Sequence, residues 1–460
     1  MRLTRREALA GAAAGALGGA GVYELVDRLS GATPARSGAR RASPPEQHLL
    51  DEIATIEDNS VQVVVPPLHH QLVTAKVRDG EPRGAARELE EAVQELERRY
   101  ESTPAGLGIT IAWGLPYFEG CVPGAWRRHA PYDRRAQKPA LLASRRFPSD
   151  PQETILEQND VAVLLRSDSR DHVADGARVL FQQLDVFEPT SIRRGFVGGG
   201  FGRQTSLPKQ IAVAAGIPGA DLIPDTAQLF LGFTSTQKAS IGPRRIVNFE
   251  TLGHVDLGPS SYFRNGTHMH ISHVLENLEA WYLNFDFDER VATAFRPGLH
   301  VRPDVQTVQQ APDQVEHDAQ VKRDFRDTGR IGHSSAIQTT SRLQRDIVGE
   351  GGTHYRKGTA IPQRADFNTL DNPFTWSSQP ERDGWQAAPA AGVHFVVFNP
   401  SSDDFDRNRL AMDGVLPDGT RLPLAARARG QGFNSILRTT HRQNFLVPPR
   451  RHRSFPLAEL

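Results

Sequence analysis

Between Arg296 and Ala391 runs a long polar stretch of weak periodicity, and within it stand His333, Arg342, His354, Tyr355 and Arg356. A neutral imidazole ligates metals and exchanges protons near neutrality, while a guanidinium is a permanent cation suited to anions. Compact domains rarely keep so long an irregular connection without a functional reason, so the site is expected there. A second candidate, His268-x-His270, puts two imidazoles on one face of a strand, with His254 or His273 as a third ligand for copper or zinc. Copper-oxidase chemistry would need several such pairs and a cysteine beside histidine. Only one pair is present, which reads as a chance or weak metal site. The glycine-rich run Gly195–Arg203 neither keeps dinucleotide-binding spacing nor opens an apolar helix, and reads as a flexible loop.

Composition narrows the chemistry. Lys+Arg and Asp+Glu number 54 each, so the formal net charge is zero and nothing favours a nucleic acid or an anionic membrane as partner. Cys121 is the only cysteine, which excludes an intrachain disulfide, an Fe–S cluster and haem attached through Cys-x-x-Cys-His. At the N-terminus, Thr4-Arg5-Arg6-Glu7 leads into an uncharged Ala/Gly-rich run, Ala8–Tyr23, which Glu24 and Asp27 close. This order predicts a twin-arginine export signal with linker over residues 1–45, too weakly apolar for a stable span after processing. The expected location is therefore extracytoplasmic.

The elements that must position these residues alternate between strand and helix. Val61–Val65 predicts a strand, Ala85–Tyr100 an amphipathic helix with Leu89, Val93, Leu96 and Tyr100 on one stripe, Leu107–Gly114 and Asp160–Arg166 two more strands, and His172–Leu184 a helix. That order is ferredoxin-like. It begins again after Leu252, with strands at His268–Val274, Val393–Phe398 and Asn444–Val447 and a helix over Leu275–Asn284. The expectation is an α+β chain of two ferredoxin-like lobes with antiparallel sheets, residues 60–240 and 245–460.

Several landmarks, in order, resemble the dye-decolourising (Dyp-type) haem peroxidase superfamily, whose fold is of the dimeric-α/β-barrel kind. They are Gly108–Phe118, Asn159–Asp168, Gly232-Phe233-Thr234-Ser235-Thr236 at the lobe junction, Gly266–Trp281, Gly332-His333 with Ser341-Arg342, Tyr355–Gly358 and Phe445–Pro449. The resemblance implies a b-type haem in the second lobe, with His333 as proximal iron ligand, His354 as a reserve, and Arg342 and Phe233 among the cofactor-binding residues. It implies hydrogen peroxide and a further reductant as reactants, and an oligomer is possible. Asp318 or Asp327 would accept the second ring N–H of the ligand histidine.

On the distal face the resemblance matches Arg356 to the family's arginine, a cation for developing negative charge. The chain departs from the pattern at Ser235, where the family has its catalytic aspartate; a hydroxyl is no base at neutral pH. Asp221, Asp225 or Asp256 could substitute. Trp113, Trp126, Trp281, Trp376 and Trp385 are available as electron relays, though each also suits a core. Two functions stay open: a peroxidase, and an exported haem-binding or haem-handling protein with little peroxide chemistry.

Overall fold

The computed structural model describes residues 25–27, 29, 44–58, 61–78, 81–198, 205–232, 245–246, 261–298, 318–348, 354–357, 360–372, 389–425, 428 and 431–460. The first lobe contains β1 His69–Val77, α1 Pro82–Arg99, β2 Gly108–Gly114, β3 Val161–Ser167, α2 Arg170–Arg178 and β4 Phe187–Phe196. Its strands pair in the order β4-β1-β3-β2, all antiparallel. The second lobe repeats the scheme with β5 Thr267–Glu276, β6 Phe367–Thr369, β7 Gly392–Asn399 and β8 Leu437–Val447, in the order β8-β5-β7-β6. Both are the ferredoxin-like arrangement. The helix between β5 and β6 is expanded into α3 Leu278–Asn284, α4 Phe287–Ala294, α5 Asp318–Thr328 and α6 His333–Ser341, and α7 Ser402–Met412 precedes β8.

The two sheets close on each other. β8 pairs with β2 and β6 with β4, so among the described residues eight strands form one barrel without free edges. Strand alternation then divides the side chains. Leu72, Ala112, Leu164, Met269, Ile271, Phe367, Phe398 and Phe445 fill the interior, while Ile109, Ile111, Trp113 and Val163 face outward beneath Leu89, Val93 and Leu96 of α1. At the β4–β6 seam the backbones come very near each other. A Cβ on Gly195 would lie 2.2 Å from the Asn368 carbonyl oxygen, so this position admits only glycine. Gly195 and Phe196 thus end a strand instead of opening a loop, and residues 199–203 of the expected loop lie outside the described residues.

The expected α+β, two-lobe architecture holds, with local corrections. Val61–Val64 is a strand, but it pairs with Thr55–Asp58 and Arg245–Ile246 in a small separate sheet. Pro66 and Pro67 cut it off, and the barrel's first strand is the polar His69–Val77, buried on both faces and hence without simple alternation. The expected second-lobe helix starts three residues late because β5 runs on to Glu276, and Asn277 caps α3 by accepting from the Ala280 N–H at 2.9 Å. The C-terminal residues return to the first lobe: Trp113 Nε1 donates to the Arg453 carbonyl at 2.8 Å and Tyr117 Oη to that of Pro456 at 3.0 Å.

A buried ionic clamp ties α7 to the second-lobe sheet. Asp150, with a fully buried side chain, accepts from Arg442 of β8 at 2.7 Å and from Arg409 of α7 at 3.2 Å. Arg409 also meets Asp413 at 2.9 Å, and both guanidinium groups lie over the Phe147 ring, 5.4 and 4.7 Å from its centroid. Removing one partner of such a set leaves buried charge uncompensated. Asp150→Ala is therefore expected to cost about 3–5 kcal/mol of stability in denaturant unfolding, far more than Asp327→Ala at the surface.

Candidate functional site

The outer face of the second-lobe sheet is polar where a core would be apolar: His268, His270, Ser272, Arg442 and Asn444 are all buried on it. Over this face lie α6 and α7. α6 has the sequence HSSAIQTTS, poor in helix formers, and its hydroxyls bond back to the helix, Ser335 to the Gly332 carbonyl, Thr339 to that of Ala336 and Thr340 to that of Ile337. Tertiary contacts hold it instead. Gly332 precedes the helix so close to α4 that a Cβ would lie 2.0 Å from the Phe295 carbonyl oxygen, which itself accepts from the Ser335 N–H at 3.1 Å. This contact places His333 at the first position of α6.

His333 is half-buried, its ring 4.9 Å from that of Phe433, and Phe433 in turn packs on Trp281. Its Nδ1 is enclosed with no hydrogen-bond partner among the described residues, so neither Asp318 nor Asp327 accepts from it; Asp327 is held by Arg326 at the surface. Burial and the nearby Arg364 and Arg409 push the imidazole down to a pKa of about 3, so it is neutral across the physiological range. Arg364 is one residue of the short strand Gln363–Arg364 that extends the sheet beside β7. It keeps 58% of its side chain accessible. Asp366 grips it in a fork, at 2.9 Å to Nε and 2.7 Å to Nη2.

The other expected residues fall as follows. Arg342 caps the far end of α6, nine residues from His333, roughly 13 Å along a helix axis. His354 and Arg356 are exposed, His354 in the hairpin of Ile347–Val348 with His354–Tyr355 and Arg356 just beyond it. The cations in the field of His333 are Arg364 and Arg409, which the sequence reading did not single out. The signal for Arg364 was its spacing from Asp366, opposite charges two positions apart in the chain. Phe233, Ser235, Thr236, Asp256, His254, Trp376 and Trp385 lie outside the described residues. Asp225 is exposed and bound to Lys209 at 2.7 Å, and Asp221 is exposed.

His270 uses both ring nitrogens, Nδ1 with Asn444 Oδ1 and Nε2 with Ser272 Oγ, each at 2.7 Å, and stacks on Phe405 of α7 at 3.3 Å. His270 is thus held as a structural residue in this arrangement. Among the described residues no group of three or more His, Cys, Asp or Glu side chains is placed to hold a metal ion. Trp113 and Trp281 are fully buried, and the Trp281 Nε1 donates to the Leu231 carbonyl at 2.9 Å.

The fold is that of the DyP-type peroxidases. A DyP-type peroxidase from Cellulomonas bogoriensis is similar over 88% of this chain and 96% of its own, at 18% identity and a TM-score of 0.50. A DyP-type peroxidase protein from Shewanella oneidensis matches over 86% and 95%, at 13% identity and a TM-score of 0.49. A DypB variant from Rhodococcus jostii in complex with heme matches over 85% and 96%, at 13% identity and a TM-score of 0.48. No curated protein matches the chain. No helix of the described residues is long and apolar enough to cross a membrane. A family of unknown function, DUF7405, matches residues 67–449, and the chain belongs to that family.

Proposed function

We propose that this chain is an exported haem protein that reacts with hydrogen peroxide, with His333 as the iron ligand. The observation that carries the proposal is the enclosed, neutral His333 imidazole with an unpartnered Nδ1 and with Arg364 and Arg409 as the cations acting on it. A ligand imidazole must be deprotonated on its donor nitrogen, and the depressed basicity of His333 meets that condition without acid–base competition. A haem bound there would supply the iron centre that reduces peroxide. Arg364 and Arg409 are the cations acting on His333, and Arg364 would take the electrostatic task expected of Arg356. Phe433 closes the apolar side of the imidazole. Solved structures with this fold include a variant in complex with heme, which supports the same cofactor here.

A second reading, haem handling with little turnover, is favoured by two observations. Ser235 stands where a distal carboxylate is expected, and no described carboxylate stands behind His333 to raise its basicity. Turnover decides between the readings. Export follows from the Arg5-Arg6 signal, since the twin-arginine route carries folded cargo and a non-covalent cofactor is inserted before export.

Hemin titrated into the purified protein is expected to give a Soret band that His333→Ala abolishes or shifts; an unchanged band in the variant would remove His333 as ligand. If peroxide-dependent dye oxidation is present, Arg364→Ala should lower it by on the order of 10²-fold, as for loss of one electrostatic stabiliser, while Arg356→Ala leaves it nearly unchanged. The reverse ranking would return the distal role to Arg356, and absence of turnover with haem bound would select the handling function. Replacing Arg5 and Arg6 by lysine should retain the protein inside the producing cell, as fractionation would show.

A further inference from the structure

A cleft of about 530 Å³ opens on the outer face of the first-lobe sheet, between α2 on one side and β1 and β4 on the other. Its depth follows from the sequence of α2. Arg170, Ala174 and Ala177 recur at helical spacing on the side that meets the cleft, and the two alanines leave uncovered a floor where Val73 of β1 and Ile192 of β4 are paired neighbours. Ile192 stays 43% exposed there. Beyond Arg178 the helix runs on into a π-helical turn, Val179–Gln183, which brings Phe181 to the cleft wall; such turns recur at functional sites. The second lobe fills the corresponding space. There α7, which like α2 joins the third and fourth strands of its lobe, seats Phe405 on His270 of β5.

Polar groups gather at one end. Ser167 of β3 pairs with His69, and Ser169 caps α2 by accepting from the His172 N–H at 3.3 Å, so the helix begins beside His69. Arg170 is its first residue, and Arg194 stands opposite Gln71 in the β1–β4 pairing, its Nε donating to Gln71 Oε1 at 3.2 Å. Asp27 lies 2.6 Å from His69 Nε2 and 3.8 Å from Arg170 Nε, so one carboxylate serves two groups. At the other end Arg178 shares Asp175 with Arg99 and Tyr100. Burial holds the His69 imidazole below its ordinary value, so it adds no charge at neutral pH. Among the residues lining the cleft, Arg170, Arg178 and Arg194 therefore stand against the single carboxylate of Asp171, a local positive excess in a chain of zero net charge.

We propose that this cleft binds a small organic carboxylate, with Arg170 and Arg194 taking the acid group and Val73, Ala174, Ala177, Ile192 and Phe181 taking an apolar body. The volume lies within the range of about 300–1,000 Å³ usual for small-molecule sites, which combine apolar walls with a few convergent polar groups. A guanidinium presents parallel N–H donors that match a carboxylate. The apolar floor decides for an acid with a body over a bare inorganic anion, because only the former removes Ile192 and its neighbours from water. The site belongs to the first lobe and is independent of the haem reading.

The test is titration calorimetry of the full chain without added haem, with 2-naphthoate as probe and 2-naphthamide as its uncharged counterpart. One saturable site for naphthoate is expected, with the amide bound about tenfold more weakly or worse. Arg170→Gln and Arg194→Gln should each weaken naphthoate binding by roughly tenfold to a hundredfold, as for loss of hydrogen bonds to a charged group. Ala174→Leu puts a good helix former at an exposed helical position and should abolish binding by filling the space above the floor. Absence of saturable binding, equal affinity for acid and amide, or an affinity indifferent to Ala174→Leu would overturn the proposal. Should Arg194→Gln not fold, an unchanged affinity in Arg170→Gln, at the first position of α2, does the same.

Discussion

β5 carries the architecture because it pairs on both sides, with β7 along one edge and β8 along the other, and so joins the strands that meet the first lobe. The pairing registers put Met269 and Ile271 into the barrel and His268, His270 and Ser272 onto the outer face. A slip of one residue would exchange these sets and bury histidines among Phe367, Phe398 and Phe445. The register of this one strand therefore fixes both the apolar interior and the polar floor on which the candidate site rests. Closure is completed at the β4–β6 seam, where Gly195 permits the contact with Asn368.

The site is assembled above that floor by elements that could not stand alone. α6 has little intrinsic helix preference, and its start is set by the close approach of Gly332 to the Phe295 carbonyl. α7 is anchored through Arg409 to Asp150, which also holds Arg442 on β8. His333, Arg409 and Arg364 thus reach one region from helix, helix and strand, and burial, reinforced by the positive field of the two guanidinium groups, keeps the imidazole neutral. Asp366 orients Arg364. Structure and chemistry are linked here through charge compensation: the Asp150 carboxylate is paired with two guanidinium groups, whereas the His333 Nδ1 is left with capacity to spare.

Legibility in the sequence followed periodicity. α1 was visible because Leu89, Val93 and Leu96 recur at helical spacing among charges, and β2, β3 and β7 because they are continuous apolar runs. β1 and β4 were hidden by His69, His70, Arg193 and Arg194, polar residues that a closed barrel buries or borders. α6 was hidden by its Ser and Thr content. His333 was found through family resemblance, whereas Arg364 and Arg409 needed three dimensions, since only the fold brings them to act on His333.

The central claim is that the space bounded by His333 and Arg364, over the outer face of the second-lobe sheet, takes a haem. A crystal structure of the hemin-reconstituted protein, with anomalous scattering recorded at the iron edge, tests it most directly. The account predicts one iron peak at bonding distance from a ring nitrogen of His333, with Arg364 on the cavity wall. An iron peak elsewhere, or haem bound with His333 unligated, would contradict it.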